Sequence, residues 1–126
     1  MRYVVLGTTS ATKKVTEALI KESHHVSVVS MPKEFCPLNS IDLYLTSRQF
    51  GLPYFETKNI NFRESAKFLA DQSPDFIVST WPKIIRKDIF MIPKYCTIGT
   101  HPTGLPNNRG RHPLHWLIVL GIKKAQ

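Results

Sequence analysis

The sequence predicts one α/β domain, in which a parallel β-sheet carries helices on both faces. Short apolar runs rich in β-branched residues alternate along the chain with segments that have apolar residues at helical spacing. The length of 126 residues suits a single core. The hydrophobic content of 42% and the charged content of 21% are those of a folded chain rather than a disordered one.

The N-terminal segment predicts a strand, a helix and a second strand. Arg2–Leu6 is a short β-branched run, and Gly7–Ser10 has the composition of a turn. Ala11–Lys21 is predicted to be a helix, and His25–Ser30 is predicted to be the second strand. The residues at helical spacing in and just after this helix are Val15, Ala18, Leu19 and Glu22.

A loop, a second helix and a short third strand follow. The segment Lys33–Asn39 has the composition of a loop. A helix is expected over Ile41–Phe50, where Ser40 is in position to cap its N-terminus. Glycine and proline at 51–53 interrupt helical geometry, and Tyr54–Phe55 is predicted to be a third strand.

The alternation continues over the second half of the chain. Asn61 is expected to cap a helix over Phe62–Gln72. Asp75–Thr80 contains Phe-Ile-Val-Ser, which is typical of a fully buried parallel strand, and Ile84–Phe90 predicts a helical turn. The apolar face expected for the helix consists of Phe62, Ala66, Leu69 and Ala70.

Two further elements complete the pattern. Cys96–Thr100 is the fifth predicted strand, and Pro113–Leu120 predicts a helix with proline at its first position. Strands that alternate with helices at this spacing form βαβ units. The predicted fold is therefore a Rossmann-like parallel sheet with helices on both faces, incomplete at its C-terminal edge.

Charge and composition limit the class of partner and the compartment. The 17 basic and 9 acidic residues give a net charge of +8, which favours an anionic partner such as nucleic acid, a nucleotide sugar or a phosphorylated metabolite. The basic residues are scattered, so a solvated surface explains them equally well. No run approaches the roughly 18 apolar residues of a membrane span, and we expect no membrane association. Cys36 and Cys96, without an export signal, predict reduced thiols and a cytoplasmic protein.

The loops that follow the fourth and fifth predicted strands are candidates for a binding site. Ligands of open parallel sheets bind beyond the carboxyl ends of the strands. The residues that this geometry is expected to bring around one crevice are Trp81, Lys83, His101, Arg109 and Arg111. The Gly-Thr-Thr-Ser-Ala-Thr turn after the first strand matches neither the G-x-G-x-x-G nor the G-x-x-x-x-G-K-[ST] motif, so a nucleotide phosphate site is only weakly indicated.

Three histidines lie close together in the sequence beyond the fifth strand. They are His101, His112 and His115, and no cysteine or acidic residue accompanies them at the spacing of zinc ligands. We therefore predict no metal site. His112 and His115 are expected near the start and on the surface of the last helix.

The segment that holds these histidines resembles the signature of a known enzyme family. Ile98–Pro106, Arg109–Arg111 and Pro113–Trp116 resemble the pattern Asn-x-His-Pro/Ala-Ser-x-Leu-Pro, Arg-Gly and Pro of the formyltetrahydrofolate-dependent formyltransferases. The resemblance implies that residues 1–126 are the N-terminal, folate-binding domain of such an enzyme. It also implies 10-formyltetrahydrofolate as the formyl donor, which is a co-substrate rather than a resident cofactor.

The resemblance also implies roles for individual residues. His101 matches the family's catalytic histidine, while Thr103 and Arg111 are expected on the side of the acceptor substrate. Trp81 is equally compatible with packing in the core, and the arginines with bracing the loop. The residues expected to line the folate pocket, largely through backbone groups, are Trp81, Lys83, Ile84, Ile85, Leu105, Pro106, Arg109 and Gly110.

Two departures from the family pattern affect the expected activity. The family asparagine falls on Gly99, which has no side-chain donor, and no aspartate follows Asp88 to orient the histidine. We therefore expect a truncated domain that has turnover close to background by itself. A sheet that stops here exposes an edge, so a marginally stable or self-associating chain is also expected.

The acceptor of the formyl group has two candidates. The motif Arg-Gly-Arg-x-Pro-x-x-Trp resembles the branch that N-formylates amino sugars on nucleotide carriers, and an amine of this kind is the first expectation. Methionyl-tRNA is the second, favoured by the family as a whole and by the charge of +8. A non-catalytic protein that keeps the fold is the alternative outside enzymology.

Overall fold

The computed structural model describes residues 1–99, and it confirms an α/β fold with an all-parallel sheet. Five strands are hydrogen-bonded in the order β3-β2-β1-β4-β5. The strands are β1 Arg2–Leu6, β2 His25–Ser30, β3 Tyr54–Glu56, β4 Phe76–Ser79 and β5 Cys96–Gly99. The predicted helix Pro113–Leu120 lies outside the described residues.

Within residues 1–99, four helices cover the sheet. They are α1 Ser10–Lys21, α2 Leu43–Phe50, α3 Arg63–Asp71 and α4 Lys87–Phe90, and a short 3-10 turn covers Lys33–Phe35. Alternate residues of a strand point to opposite faces, so β1 contributes to two cores. Val5 packs with α1 and α2, whereas Val4 and Leu6 pack with α3 and α4. The predicted arrangement of helices on both faces is confirmed. No helix in residues 1–99 is long and apolar enough to cross a membrane.

The N-terminal caps of two helices differ from the prediction. α2 is capped by Asp42, whose carboxylate accepts a hydrogen bond of 2.9 Å from the backbone N–H of Tyr44, so the expected cap Ser40 was wrong. Phe62 occupies the cap position of α3, and Asn61 lies just before it. Both helices therefore begin later than predicted. Aspartate and serine are both good caps, and only the path of the chain selects one of them.

The buried faces of two helices are more polar than the apolar pattern predicted. In α1 the fully buried residues are Thr12 and Thr16, and Ala18 is exposed. The Thr16 hydroxyl is satisfied inside the helix by the carbonyl of Thr12 at 2.8 Å. In α3, Ser65 and Leu69 are buried, whereas Phe62 and Ala70 are exposed. Hydroxyls that bond the backbone can be buried at low cost, which a hydrophobic count does not detect.

The fourth strand and the segment after it also differ from the prediction. Only Ile77 of β4 is fully buried, and its neighbours on the opposite face are half-buried because α1 lies mainly against β1 and β2. The predicted helical turn from Ile84 begins only at Lys87. The segment between Thr80 and Arg86 is an irregular loop at the carboxyl end of β4.

Candidate ligand-binding rim of the sheet

The carboxyl ends of the parallel strands form one rim, and the strand order reverses next to β1. The chain runs outward from β1 to β2 and β3, then returns to place β4 on the other side of β1. The turn Gly7–Thr9 and the loop Thr80–Arg86 therefore flank the switch point, where open α/β sheets bind ligands. Ser79 pairs with Gly99, so β5 ends at the same level of the rim.

Threonine hydroxyls close the turn after β1. The Thr12 and Thr80 hydroxyl oxygens are 2.6 Å apart, and the Thr80 hydroxyl also donates to the Leu6 carbonyl at 3.1 Å. The backbone N–H of Thr9 donates to the Thr12 hydroxyl at 3.2 Å. A β-carbon at Gly7 would overlap both hydroxyl oxygens. The turn is thus filled by side chains of the protein, which agrees with the weak sequence signal for a nucleotide phosphate there.

The side chains of the loop after β4 divide between the core and the rim. Trp81 is only 9% exposed and packs in the core with α3 and α4. Ile85 is half-buried against the same core, and Lys83 is exposed. Ile84 is 85% exposed, which is unusual for a large aliphatic side chain. Of the two roles considered for Trp81, its burial favours packing, whereas Ile84 is the apolar side chain that this loop exposes.

The backbone of this loop offers hydrogen-bonding groups. The N–H groups of Lys83, Ile84 and Ile85 have no partner among residues 1–99. The Ile84 carbonyl, by contrast, accepts a bond of 3.0 Å from the Asn61 side chain, and the Arg86 N–H donates to the same side chain at 2.8 Å. The loop therefore has a fixed C-terminal end, preceded by a run of donors that have no partner in the described part of the chain.

Basic side chains predominate along the rim. Arg86 lies 3.9 Å from Asp88, and both side chains are more than 60% exposed, so this ion pair contributes little. The Lys58 ammonium lies over the rings of Phe35 and Phe62, at 5.7 and 6.0 Å from their centroids. The cations that follow β2, β3 and β4 are Lys33, Lys58, Lys83, Arg86 and Lys87. The rim is suited to an anionic ligand.

The remaining residues of the predicted site lie outside the described part of the chain. They are His101, Thr103, Leu105, Pro106, Arg109, Gly110 and Arg111. The structure therefore describes only the β4 loop of the proposed pocket, and the roles assigned to these residues stay predictions. Within residues 1–99, no group of three histidine, cysteine or acidic side chains is placed to hold a metal ion.

Sequence reasoning missed the residues that fix the rim. Asn61 was interpreted as a helix cap, but its side chain bonds Ile84 and Arg86, which lie 23 and 25 residues further along the chain. The pair of Thr12 and Thr80 is separated by 68 residues. Nothing in the local sequence distinguishes these side chains from ordinary surface residues. The only local signal was the turn composition of Gly7–Ser10.

Comparison with known proteins identifies similar sequences along the whole chain. The family profile described as "Formyl transferase" matches residues 1–125. The methionyl-tRNA formyltransferase of Pelotomaculum thermopropionicum is 31% identical over 99% of this chain and 42% of its own length. The methionyl-tRNA formyltransferase of Clostridium tetani is 31% identical over 98% of the chain, and that of Thermotoga neapolitana 28% over 99%; each is covered over 42% of its length. The chain thus spans less than half the length of these relatives.

Proposed function

The chain belongs to the formyl transferase family, and from this premise we propose that it binds 10-formyltetrahydrofolate and supports transfer of the formyl group to an amine. The β4 loop is the observation that carries the proposal. The loop lies at the carboxyl rim beside the switch point, where the fold places ligands. It is also the part of the predicted folate pocket that falls within the described residues.

The chemistry of the β4 loop suits a pterin ring. Such a ring is flat and partly apolar, and its edge carries both donors and acceptors. The loop offers the exposed side chain of Ile84 and the N–H groups of residues 83–85, which are unpaired within residues 1–99. A few polar groups that converge on an apolar surface are typical of small-molecule sites. The basic rim would attract the carboxylates of the folate tail.

The transfer step assigns a role to His101. The acceptor amine attacks the formyl carbon, and negative charge develops on the formyl oxygen of the tetrahedral intermediate. The bond between the formyl carbon and the folate nitrogen then breaks, the amine gives up a proton, and the folate nitrogen takes up a proton and leaves as tetrahydrofolate. His101 would stabilise the oxyanion and assist proton movement. Gly99 offers no side chain to share that charge. Transfer by residues 1–126 is therefore expected to be slow.

Methionyl-tRNA is the acceptor that we now favour over a nucleotide-linked amino sugar. The relatives named above are methionyl-tRNA formyltransferases, whereas the sugar hypothesis rested on the motif Arg109–Trp116 alone. The net charge of +8 also suits a polyanionic acceptor. Because the chain spans 42% of these relatives, the acceptor is proposed for the protein as a whole.

A single-turnover assay tests the acceptor. The 126-residue chain is held in excess over methionyl-tRNA or a dTDP-linked amino sugar, and transfer of labelled formyl from 10-formyltetrahydrofolate is followed. We expect slow labelling of methionyl-tRNA, no labelling of the sugar, and loss of labelling in His101→Ala. Labelling of the sugar alone would restore the first acceptor hypothesis. Labelling that persists in His101→Ala would remove the role of that histidine.

A further inference from the structure

Asn61 holds the C-terminal end of the β4 loop with both atoms of its amide. Its Nδ2 donates to the Ile84 carbonyl at 3.0 Å, and its Oδ1 accepts from the Arg86 backbone N–H at 2.8 Å. The Arg86 guanidinium returns a bond of 3.2 Å to the Asn61 carbonyl. One side chain therefore satisfies a donor and an acceptor of the same short loop, as a neighbouring strand would.

Asn61 itself is held in place by the segment after β3. Its backbone N–H donates to the Asn59 side chain at 2.9 Å. The Asn59 carbonyl in turn accepts from the hydroxyls of Thr57 at 2.9 Å and Ser65 at 3.1 Å. Thr57 and Ser65 are buried, so this support is shielded from water. The amide of Asn61 is thus presented to the loop in one orientation.

The other end of the loop is fixed independently. The Thr80 hydroxyl bonds the Leu6 carbonyl at 3.1 Å, and the Trp81 side chain is buried in the core. Between these anchors and Asn61, the N–H groups of residues 83–85 meet no partner in residues 1–99. The bonds that Asn61 makes, together with the packing of Ile85 against the core, therefore set the position of these donors.

We propose that Asn61 is a positioning residue for the formyl donor, which aligns the backbone N–H groups of residues 83–85 without touching the ligand. The inference rests on the proposed function, because it assigns the β4 loop to folate. A loop held in its binding conformation avoids the entropy cost of ordering at the moment of binding. Asn61→Ala leaves the Ile84 carbonyl and the Arg86 N–H without these partners. Loss of such bonds is expected to weaken folate binding roughly tenfold.

The choice of variants separates positioning from general stability. Gln72→Ala is the matched control, because it removes a hydrogen bond of 2.7 Å to Ser27 at the opposite end of the sheet. Asn61→Asp keeps the acceptor for the Arg86 N–H and loses the donor to the Ile84 carbonyl. It is nearly isosteric, so it tests the idea even if the alanine variant folds poorly.

The experiment combines calorimetry with amide exchange on the 126-residue chain. The probe is 5-formyltetrahydrofolate, a stable isomer of the proposed donor. In Asn61→Ala we expect roughly tenfold weaker binding and faster exchange of the Arg86 amide. Asn61→Asp should bind less tightly than the parent while the Arg86 amide stays protected, and Gln72→Ala should match the parent in both.

Two results would overturn the inference in different ways. Unchanged affinity in Asn61→Ala, or equal weakening in Gln72→Ala, would show that Asn61 does not position the donor. A parent chain that fails to bind the probe would instead contradict the proposed function, and the inference with it.

Discussion

Two glycines at the rim of the sheet differ in the space that surrounds them. Gly7 has no room for a side chain, because a β-carbon would overlap the hydroxyl oxygens of Thr12 and Thr80. Gly99 has room among residues 1–99, where a β-carbon would meet only the Ser79 carbonyl, at an ordinary 3.8 Å. The first glycine is required by packing. The second is not explained by packing within residues 1–99, and it falls where the resemblance predicts the family asparagine.

The room at Gly99 makes a gain-of-function test possible. Gly99→Asn would place an amide where the resemblance predicts the family asparagine, and its β-carbon would clash with no atom of residues 1–99. We expect the variant to keep the parent's stability to within about 0.5 kcal/mol. Its single-turnover formyl transfer should rise roughly 10- to 100-fold, because an oxyanion donor contributes about that much or more.

Gly99→Ala is the matched control for this variant. It adds the β-carbon without the amide, so its transfer rate should equal that of the parent. A rate for Gly99→Asn no higher than that of Gly99→Ala would show that an amide at this position does not reach the reacting group.

At the residue scale, sequence reasoning succeeded only where a contact is local. It placed Ile84 and Lys83 on the loop after β4 and indicated a tight turn at Gly7. It could not identify Asn61 as the clamp of that loop, because the two segments are joined only by the fold. Asparagine is common both at helix caps and in such clamps, and the sequence does not distinguish the two roles.

At the scale of elements, the edge strand β3 and helix α2 pack through an aromatic pair. Tyr44 and Tyr54 are stacked at 5.5 Å between ring centroids, beside a cavity of about 580 Å³ that also contacts Arg48. The Tyr54 hydroxyl donates to the Glu56 carboxylate at 3.1 Å. Burial, and secondarily the Glu56 charge, raise the pKa of the Tyr54 phenol well above its usual value.

This shift predicts a pH dependence of stability. The folded state holds the Tyr54 proton more tightly than the unfolded chain, in which the pKa is about 10. The stabilisation is therefore complete below about pH 10 and is lost as the pH rises above that value. In Tyr54→Phe this contribution is absent. We expect its urea midpoint, measured by circular dichroism, to fall less steeply than the parent's between about pH 9 and 11.

The control for this prediction is Tyr44→Phe, which removes the other phenol of the stack. Its midpoint should follow the parent's slope across the alkaline range. If Tyr54→Phe loses stability as steeply as the parent, the Tyr54 phenol is not responsible for the alkaline transition.

Strands were predicted better than helix ends, and the reason is physical. A run of β-branched residues marks a strand wherever it lies, so β1 and β2 were predicted with their observed bounds. The residue at which a helix begins depends on which side chain accepts hydrogen bonds from the first free N–H groups of the helix. At α2 that choice fell to Asp42 rather than Ser40, and the sequence alone allows both.

At the scale of the whole molecule, alternation of strands and helices predicted a parallel sheet but not its order. In the order β3-β2-β1-β4-β5, the chain first runs outward on one side of β1 and then returns to place β4 on the other side. That reversal places the β4 loop at the switch point. The fold thus brings the candidate site together from segments that are far apart in the chain.

The family profile matches residues 1–125, which include the whole of this rim. The match supports a formyl donor, and the closed turn after β1 argues against a dinucleotide at the same switch point. Both ligands would bind at the carboxyl end of the sheet. Comparing the binding of a folate with that of NAD therefore distinguishes a formyl transferase domain from a dinucleotide-binding protein.

The most direct test of the central claim is calorimetric titration of the 126-residue chain with 5-formyltetrahydrofolate and, separately, with NAD. We expect saturable binding of one folate per chain and no binding heat with NAD. The turn after β1 is closed by the Thr12 and Thr80 hydroxyls, whereas the N–H groups of the β4 loop have no partner among residues 1–99. Binding of NAD without folate, or of neither compound, would contradict the assignment of this rim to a formyl donor.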